Sequence, residues 1–405
     1  MKYIEKLLKG AEVKWMTVEE ISKNISSGGT PRSNVAAYYG GNIPWLRTQE
    51  VNFREIWDTG IKITEEGLNS SSAKYIPANC IIVAMYGATV GRVGINKIPL
   101  TTNQACANIE VNDNIAYYRY VYHYLSSQYE YIKSLGAGSQ TNINAGIVRR
   151  IKIPIPPLYV QEEIVRILDK FTTLEAELEA ELDCRKRQYE YYRNQLLSFD
   201  MLTGGQKLNS VSWLTLGEVF ETRNGYTPSK ANAAFWENGT IPWFRMEDIR
   251  ANGGVLKDSI QHVTPQAIKG KGLFMAGSII MATTATIGEH ALITVDALAN
   301  QQFTNFRVRN SMEDKLLTKF IYYYFFVIDE WCKQNVNVSS FPSVEIERLK
   351  KQPFPIPPLA EQQRIVSILD KFEALTTSIS EGLPKEIELR RKQYEYYCNQ
   401  LLSFA

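Results

Sequence analysis

Apolar residues recur along this chain with two different periods, and each predicts its own kind of element. Ile164, Ile167, Phe171, Leu174 and Leu178 fall alternately three and four residues apart, and Ile365, Ile368, Phe372, Leu375 and Ile379 repeat the spacing. Polar residues fill the positions between, so each series is an apolar seam of coiled-coil type on a long helix. Two surface helices, each covering its own domain, would carry the same stripe, but a seam in both also gives the helices each other to pack against. Elsewhere the runs are short. Ile81 to Met85 and Ser278 to Ala282 are apolar, of strand length and bounded by turn residues. Residues 117–131 and 316–332 have helical length and are thick with aromatics, whose tyrosines read as core and helix-packing residues rather than base-stacking platforms. Strands and helices together predict mixed α and β globular parts.

The pattern occurs twice. Ile153-Pro154-Ile155-Pro156-Pro157-Leu158 leads through Ile167-Leu168-Asp169-Lys170-Phe171 to Gln188-Tyr189-Glu190-Tyr191-Tyr192 and Asn194 to Phe199. Phe354-Pro355-Ile356-Pro357-Pro358-Leu359 leads through Ile368-Leu369-Asp370-Lys371-Phe372 to Gln393-Tyr394-Glu395-Tyr396-Tyr397 and Asn399 to Phe404. Such a repeat is a whole domain plus a helix, duplicated. The globular parts share only a skeleton: Thr30-Pro31 with Thr227-Pro228, Ile43-Pro44-Trp45-Leu46-Arg47 with Ile241-Pro242-Trp243-Phe244-Arg245, and Asn103-Gln104 with Asn300-Gln301. The expected divisions are a first domain over 1–157, a first helix over 158–199, a second domain over 200–358 and a second helix over 359–405. Near-identical helices and loosely related domains suggest equal scaffolding duties and different recognition duties. Within the first helix Leu174-Glu175-Ala176-Glu177 is repeated at once as Leu178-Glu179-Ala180-Glu181, a tandem run of helix formers. The second helix carries Gly382 and Pro384, which should interrupt or kink it.

Composition narrows the setting. A chain of 405 residues, 44% hydrophobic and 22% charged, suits a soluble protein with two or three cored domains. The net charge of +2 means that any attraction to an anionic polymer must come from local clusters of Lys and Arg. Cys80, Cys106, Cys184, Cys332 and Cys398 are scattered without a CxxC, which argues against disulfides or zinc and for a reducing cytoplasm. The start at Met1 lacks a signal peptide's apolar stretch, and the most apolar run, 320–328, falls short of the roughly 20 residues of a membrane span.

Taken together, these motifs resemble the specificity subunits of Type I restriction–modification systems. The match spans essentially the whole chain and rests on the Gly28-Gly29-Thr30-Pro31 opening, the Ile-Pro-Trp of each half, the Asn-Gln pair, and the Pro-Ile-Pro-Pro-Leu lead into Gln362-Gln363-Arg364-Ile365-Val366 and Ile368-Leu369-Asp370. The resemblance implies an α+β protein. Two tandem target-recognition domains would be separated by long helices forming an antiparallel coiled coil, with pseudo-twofold symmetry. Each domain would read half of a split DNA sequence. The helices would space the domains and bind two modification (methyltransferase) subunits, with restriction (translocase/nuclease) subunits joining the complex. The Leu-Glu-Ala-Glu repeat would act as a ruler for the gap. A helix of about 40 residues is roughly 60 Å long, against about 34 Å for a DNA turn. Two departures stand out: Val160-Gln161-Glu162-Glu163 replaces the Glu361-Gln362-Gln363 form, and Ala285-Thr286-Ile287-Gly288 replaces Gly87-Ala88-Thr89-Val90-Gly91.

Catalytic motifs are not evident. A DNA methyltransferase needs a methyl-donor site and an Asn/Asp-Pro-Pro-aromatic motif, whereas the Pro-Pro-Leu segments here follow no Asn or Asp. Gly136-Ala137-Gly138 lacks the strand–loop–helix setting of a nucleotide site, and no Walker loop occurs. His123, His262 and His290 lack metal-ligand spacing, so no metal site is expected. The expectation is a non-catalytic subunit with no cofactor of its own, methyl donor and ATP sitting on its partners, and double-stranded DNA as ligand. A coiled-coil protein-binding adaptor is the alternative, and a methyltransferase or nuclease with an unrecognised site a further one. Candidate DNA contacts lie in small, polar, basic loops: Ser27, Gly28, Gly29, Thr30 and Arg32 in the first half, Asn224, Tyr226, Thr227, Ser229 and Lys230 in the second. Plain turns are the competing reading. Arg47, Thr48 and Gln49 match Arg245 and Glu247, where the shared Arg suits phosphate or scaffold work and its differing neighbours suit base reading, with a buried ion pair as the alternative. Arg92, Gln140, Asn142 and Thr284 complete the set. The segment before Trp15 resembles that before Trp213 and is expected to pack beside the C-terminal helix.

Overall fold

The computed structural model describes residues 3–136, 142–198, 211–270, 272–337, 342–377 and 381–404. The chain divides into two units, Met1–Leu178 with Ile387–Ala405, and Glu179–Glu386. Each is built around a five-stranded sheet of the same order. In the first unit the order is Ser22–Ser27, Cys106–Val111, Ile81–Ala84, Val93–Asn96, Glu55–Ile56; in the second it is Phe220–Asn224, Phe303–Val308, Ile279–Ala282, His290–Ile293, Val255–Leu256. Neighbours are antiparallel except the last pair, which is parallel in both.

The central strands lack polar alternation because both faces are covered. Side chains alternate across a strand, so Ile81 and Val83 enter one core while Ile82 and Ala84 enter another on the opposite face. Ile279 and Met281 part from Ile280 and Ala282 in the same way. The aromatic helices Tyr118–Ser127 and Thr318–Gln334 cover the first of these faces. Tyr120, Tyr122, Tyr124, Tyr322, Tyr323 and Tyr324 are all buried there, as core residues.

Each proline-rich lead is half of a two-stranded ribbon. Lys14–Thr17 pairs with Lys152–Ile155, and Ser212–Thr215 with Pro353–Ile356, setting Trp15 opposite Pro154 and Trp213 opposite Pro355. A ribbon of two strands leaves edges where a residue without an N–H costs nothing. Gln161 and Gln362, both fully buried, then staple each long helix to its domain. Gln161 accepts from the Tyr117 N–H at 2.8 Å and donates to the Pro156 carbonyl at 2.8 Å; Gln362 accepts from the Leu317 N–H at 2.8 Å and donates to the Pro357 carbonyl at 2.7 Å. The two helix openings, different in sequence, thus share the one residue that does this work.

The first long helix, Leu158–Leu196, has 39 residues. Ile164 and Ile365 are fully buried in the domain cores beside Leu168 and Leu369, so the opening turns do cover their own domains. Beyond them the seam turns to the other helix. Phe171 stacks on Tyr397 with ring centroids 4.9 Å apart, and Glu175 accepts from Arg391 at 2.5 Å, an antiparallel order. In the second unit Phe372 stacks on Tyr192 at 5.5 Å. Ile167, Leu174, Leu178, Ile368 and Leu375 are half-buried, and Ile379 lies outside the described residues. The second helix is broken as expected, into Leu359–Thr377 and Gly382–Leu401, with Gly382 at φ +78° and Pro384 in the first turn. Ile4 of the N-terminal helix Tyr3–Leu8 shares a core with Cys398, Leu401 and Leu402 of the C-terminal one. Among the described residues no helix is long and apolar enough to cross a membrane.

Candidate nucleic-acid interface

The three shared motifs of the globular parts meet in space, and they meet identically in both units. Trp45 donates its indole Nε1–H to the Gly29 carbonyl at 2.9 Å, and Trp243 donates to the Tyr226 carbonyl at 3.0 Å. The Ile-Pro-Trp motif therefore holds the Thr-Pro loop. From the other side Thr30 Oγ1 donates to Gln104 Oε1, and Thr227 Oγ1 to Gln301 Oε1. The Asn103 N–H bonds the Leu46 carbonyl at 2.9 Å, and the Asn300 N–H bonds the Phe244 carbonyl at 3.0 Å, which brings the Asn-Gln pair next to the shared arginine.

The glycines of the loop have an internal reason. A Cβ on Gly28 would lie 1.8 Å from the Thr102 carbonyl oxygen, and one on Gly225 would lie 2.1 Å from that of Asn300. Both, like Gly29, are buried against the chain itself. The exposed members of the loops are Ser27, Thr30, Arg32, Asn224, Ser229 and Lys230, with Thr227 half-exposed. The Tyr226 hydroxyl is committed internally, donating to the Ala267 carbonyl at 2.9 Å and accepting from the Lys269 N–H at 3.0 Å.

Arg47 and Arg245 start short helical turns with matched supports. Glu50 accepts from the Arg47 N–H at 3.4 Å and from the Gly60 N–H at 2.7 Å; Asp248 accepts from the Arg245 and Ile260 N–H groups, both at 2.7 Å. Thr59 and Ser259 each accept from the indole residue's backbone N–H at 3.0 Å. Sequence comparison missed these two pairs because chemistry rather than identity is kept: Glu for Asp, Thr for Ser. The guanidinium groups are half-exposed, yet the Nε–H of each is buried without a hydrogen-bond acceptor. Arg245 Nε lies 3.2 Å from Glu247 Oε2, an ion pair lacking hydrogen-bond alignment, while Arg47 is 3.9 Å from Glu50. Thr48 is buried; Gln49 and Glu247 are exposed.

The remaining candidates adjoin this cluster. The turn Gly87–Thr89 packs against Thr48–Glu50, Asn142 accepts from the Gly87 N–H at 3.2 Å, and Arg92 donates to Asn52 at 2.8 Å. Thr283 bonds Thr304 at 2.9 Å, Thr304 donates to Asn224 at 3.0 Å, and Thr284 bridges to Ser343. Gln140 lies outside the described residues. The departure in the second unit's loop leaves the backbone hand unchanged. Ala285 adopts φ +63° where Gly87 has +80°, and Gly288 at +77° answers Gly91 at +83° one residue sooner.

Two of the three histidines, His123 and His290, are buried. His123, fully buried, faces Asp169 at 2.7 Å and the Tyr394 hydroxyl at 2.8 Å. Burial lowers its pKa, outweighing the Asp169 carboxylate. A neutral ring donating from Nε2 and accepting at Nδ1 fits both partners. His262 pairs with Asp258 at 2.6 Å and His290 with Asp329 at 2.5 Å. Among the described residues no group of metal-ligand type forms.

Comparison with known proteins gives this architecture a family. The model of the Type I restriction modification DNA specificity domain matches twice, at residues 11–183 and 211–389. The specificity subunit of the Type I restriction enzyme EcoR124I/EcoR124II of Escherichia coli is 35% identical over 100% of this chain and 97% of its own length. That of EcoprrI, also from Escherichia coli, is 52% identical over 201 residues, 48% of this chain and 50% of that protein. Two solved structures share the fold at 16% identity. One, from work on complex assembly and conformational transition of the type I R-M system, has a TM-score of 0.63 over 96% of this chain and 97% of that one. The other, the S subunit from M. genitalium, has a TM-score of 0.56 over the whole of both chains.

Proposed function

The chain belongs to the family of Type I restriction–modification DNA specificity proteins, and from that premise we propose that each globular domain reads one half of a bipartite DNA site. The long helices set the gap between half-sites and dock two modification subunits, through which restriction subunits join. The chain itself is non-catalytic, and methyl donor and ATP belong to its partners. One observation carries the reading: the same bonded constellation is built twice, around exposed residues that differ between domains. Gln49 stands where the other domain has Glu247, and Arg32 where it has Ser229. Fixed supports with variable tips suit a pair of readers for two different sequences. The helix of 39 residues, about 58 Å if straight, is long enough to bridge more than one duplex turn.

The test is equilibrium binding of duplexes by the chain assembled with its modification subunits. A strong preference for one split sequence, abolished by changing either half, is expected. Equal binding of all duplexes at physiological salt would exclude the reading.

A further inference from the structure

Gln104 and Gln301 were visible in the sequence only as part of a shared skeleton, and the structure gives them a more specific character. Both are exposed. In each the amide oxygen accepts from the hydroxyl of the loop threonine, Thr30 or Thr227. That bond orients the amide so that Nε2, with its two N–H donors, is the end left for a ligand, and among the described residues Nε2 has no hydrogen-bond partner. Beside each glutamine, on the adjoining strand end, stands the shared arginine, half-exposed, with Glu50 3.9 Å from Arg47 and Glu247 3.2 Å from Arg245. Each domain thus carries a Gln amide and an Arg guanidinium on neighbouring strand ends.

What such a group can contact follows from its chemistry and its duplication. Reading adenine through a glutamine uses the amide oxygen and nitrogen together, and here one of the oxygen's two lone pairs is committed to the threonine while both N–H donors stay free. Phosphate oxygens only accept, which matches a donor face. Two domains that read different sequences also have one feature in common in their targets, the sugar–phosphate backbone. We propose that Gln104 and Gln301 are equivalent phosphate contacts that fix each domain's register on the duplex without reading bases. This rests on the reading of the domains as DNA-recognition modules and adds which residues are indifferent to sequence.

The experiment uses the full chain assembled with its modification subunits, a duplex carrying the methylated motif, and one with both half-sites scrambled. Gln104→Ala and Gln301→Ala should each weaken binding to both duplexes by the same factor, about tenfold for a hydrogen bond to a charged group, with the methylated motif unchanged. Gln104→Glu keeps an acceptor for Thr30 while removing the donors and adding a negative charge, so it should weaken both duplexes further. A loss confined to the motif duplex, or a changed motif, would overturn the proposal by making the glutamines base readers. Wild-type affinity in the variants would overturn it by leaving the amides in solvent. Failure of the wild-type assembly to discriminate between duplexes would instead remove the recognition reading itself, and the proposal with it.

Discussion

The sheet edge beside the aromatic helix keeps two backbone hydrogen bonds in both domains, Ile95 N–H to Arg54 with Leu292 N–H to Gly254, and Lys97 N–H to Ile56 with Thr294 N–H to Leu256, yet the two fill that place in opposite ways. In the first, Phe53 sits at φ +53° and packs edge-on against Tyr129 at 5.2 Å, with Val93 on the strand beneath. In the second, Gly253 at φ +80° takes the place of Phe53, and His290 and Asp329 take those of Val93 and Tyr129, where they line part of an open groove. Gly254 admits the Tyr322 hydroxyl, which a Cβ would meet at 2.3 Å. Phe53 is a bulky residue held in the left-handed region, at a cost of order 1–2 kcal/mol; its N–H bonds the Val93 carbonyl at 2.8 Å, whereas the Gly253 N–H bonds the Ile249 carbonyl of the short helix before it at 2.8 Å. The parallel strand pairing is therefore what both domains keep, while the turn that leads into it and the side chains that fill it differ.

The charged junction between aromatic helix and long helix makes the same point. Arg119 bonds Asp169 at 2.6 and 2.9 Å and Glu55 at 2.5 Å. Lys319 pairs with Asp370 at 3.2 Å and Glu373 at 3.1 Å. Each cation has two carboxylates, but the second comes from a strand in one domain and from the long helix in the other. Val255 and Thr172 occupy the two vacated positions.

The largest effect should come from removing the better buried cation. Arg119→Ala leaves two carboxylates facing each other and should cost about 3 kcal/mol. Lys319→Ala, at a site more than a third exposed, should cost about 1 kcal/mol after solvent screening. Hydrogen exchange over 118–134 and over 318–334 separates the two losses, and equal losses would break the asymmetry. Transplanting the second arrangement into the first domain sharpens it further. Glu55→Val alone should destabilise by about 1–2 kcal/mol, and adding Thr172→Glu should restore about half or more, a coupling that a double-mutant cycle reads directly.

Acid should also separate the domains. Burial lowers the His123 pKa, so as pH falls through the ordinary histidine range the unfolded chain takes up a proton that the folded domain refuses. Stability from this position is present above about pH 6.5 and lost as pH falls towards the folded value. His123→Tyr, the residue at the matching position of the second domain, should flatten that slope in chemical denaturation of the first domain. The smallest effect is local. Ala285→Gly at φ +63° on an exposed loop should stabilise the second domain by at most about 1 kcal/mol, measurable as a shift in denaturation midpoint. A loss there would mean the methyl group packs.

Much of this was legible in the chain because it is local or periodic. The seams, the strand runs, the break at Gly382 and the burial of the aromatic helices all follow from spacing and size. The shared motifs were legible as a skeleton but not as a constellation: that Trp45 holds Gly29 and Gln104 holds Thr30 depends on strands far apart in sequence being neighbours. Glu50 and Asp248 were hidden because equivalent carboxylates differ in length, and Glu55 and Glu373 because one role is filled from different elements. The left-handed Ala285 was hidden for another reason, since its loop is held by backbone bonds that ignore the side chain.

The central claim is that one scaffold, built twice, carries two independent readers. Its most direct measurement is a genome-wide map of methylated sites in cells whose chain has residues 1–157 exchanged for those of another family member. One half of the split motif should change, while the other half and the gap remain as before. Alteration of both halves, or of neither, would contradict the claim.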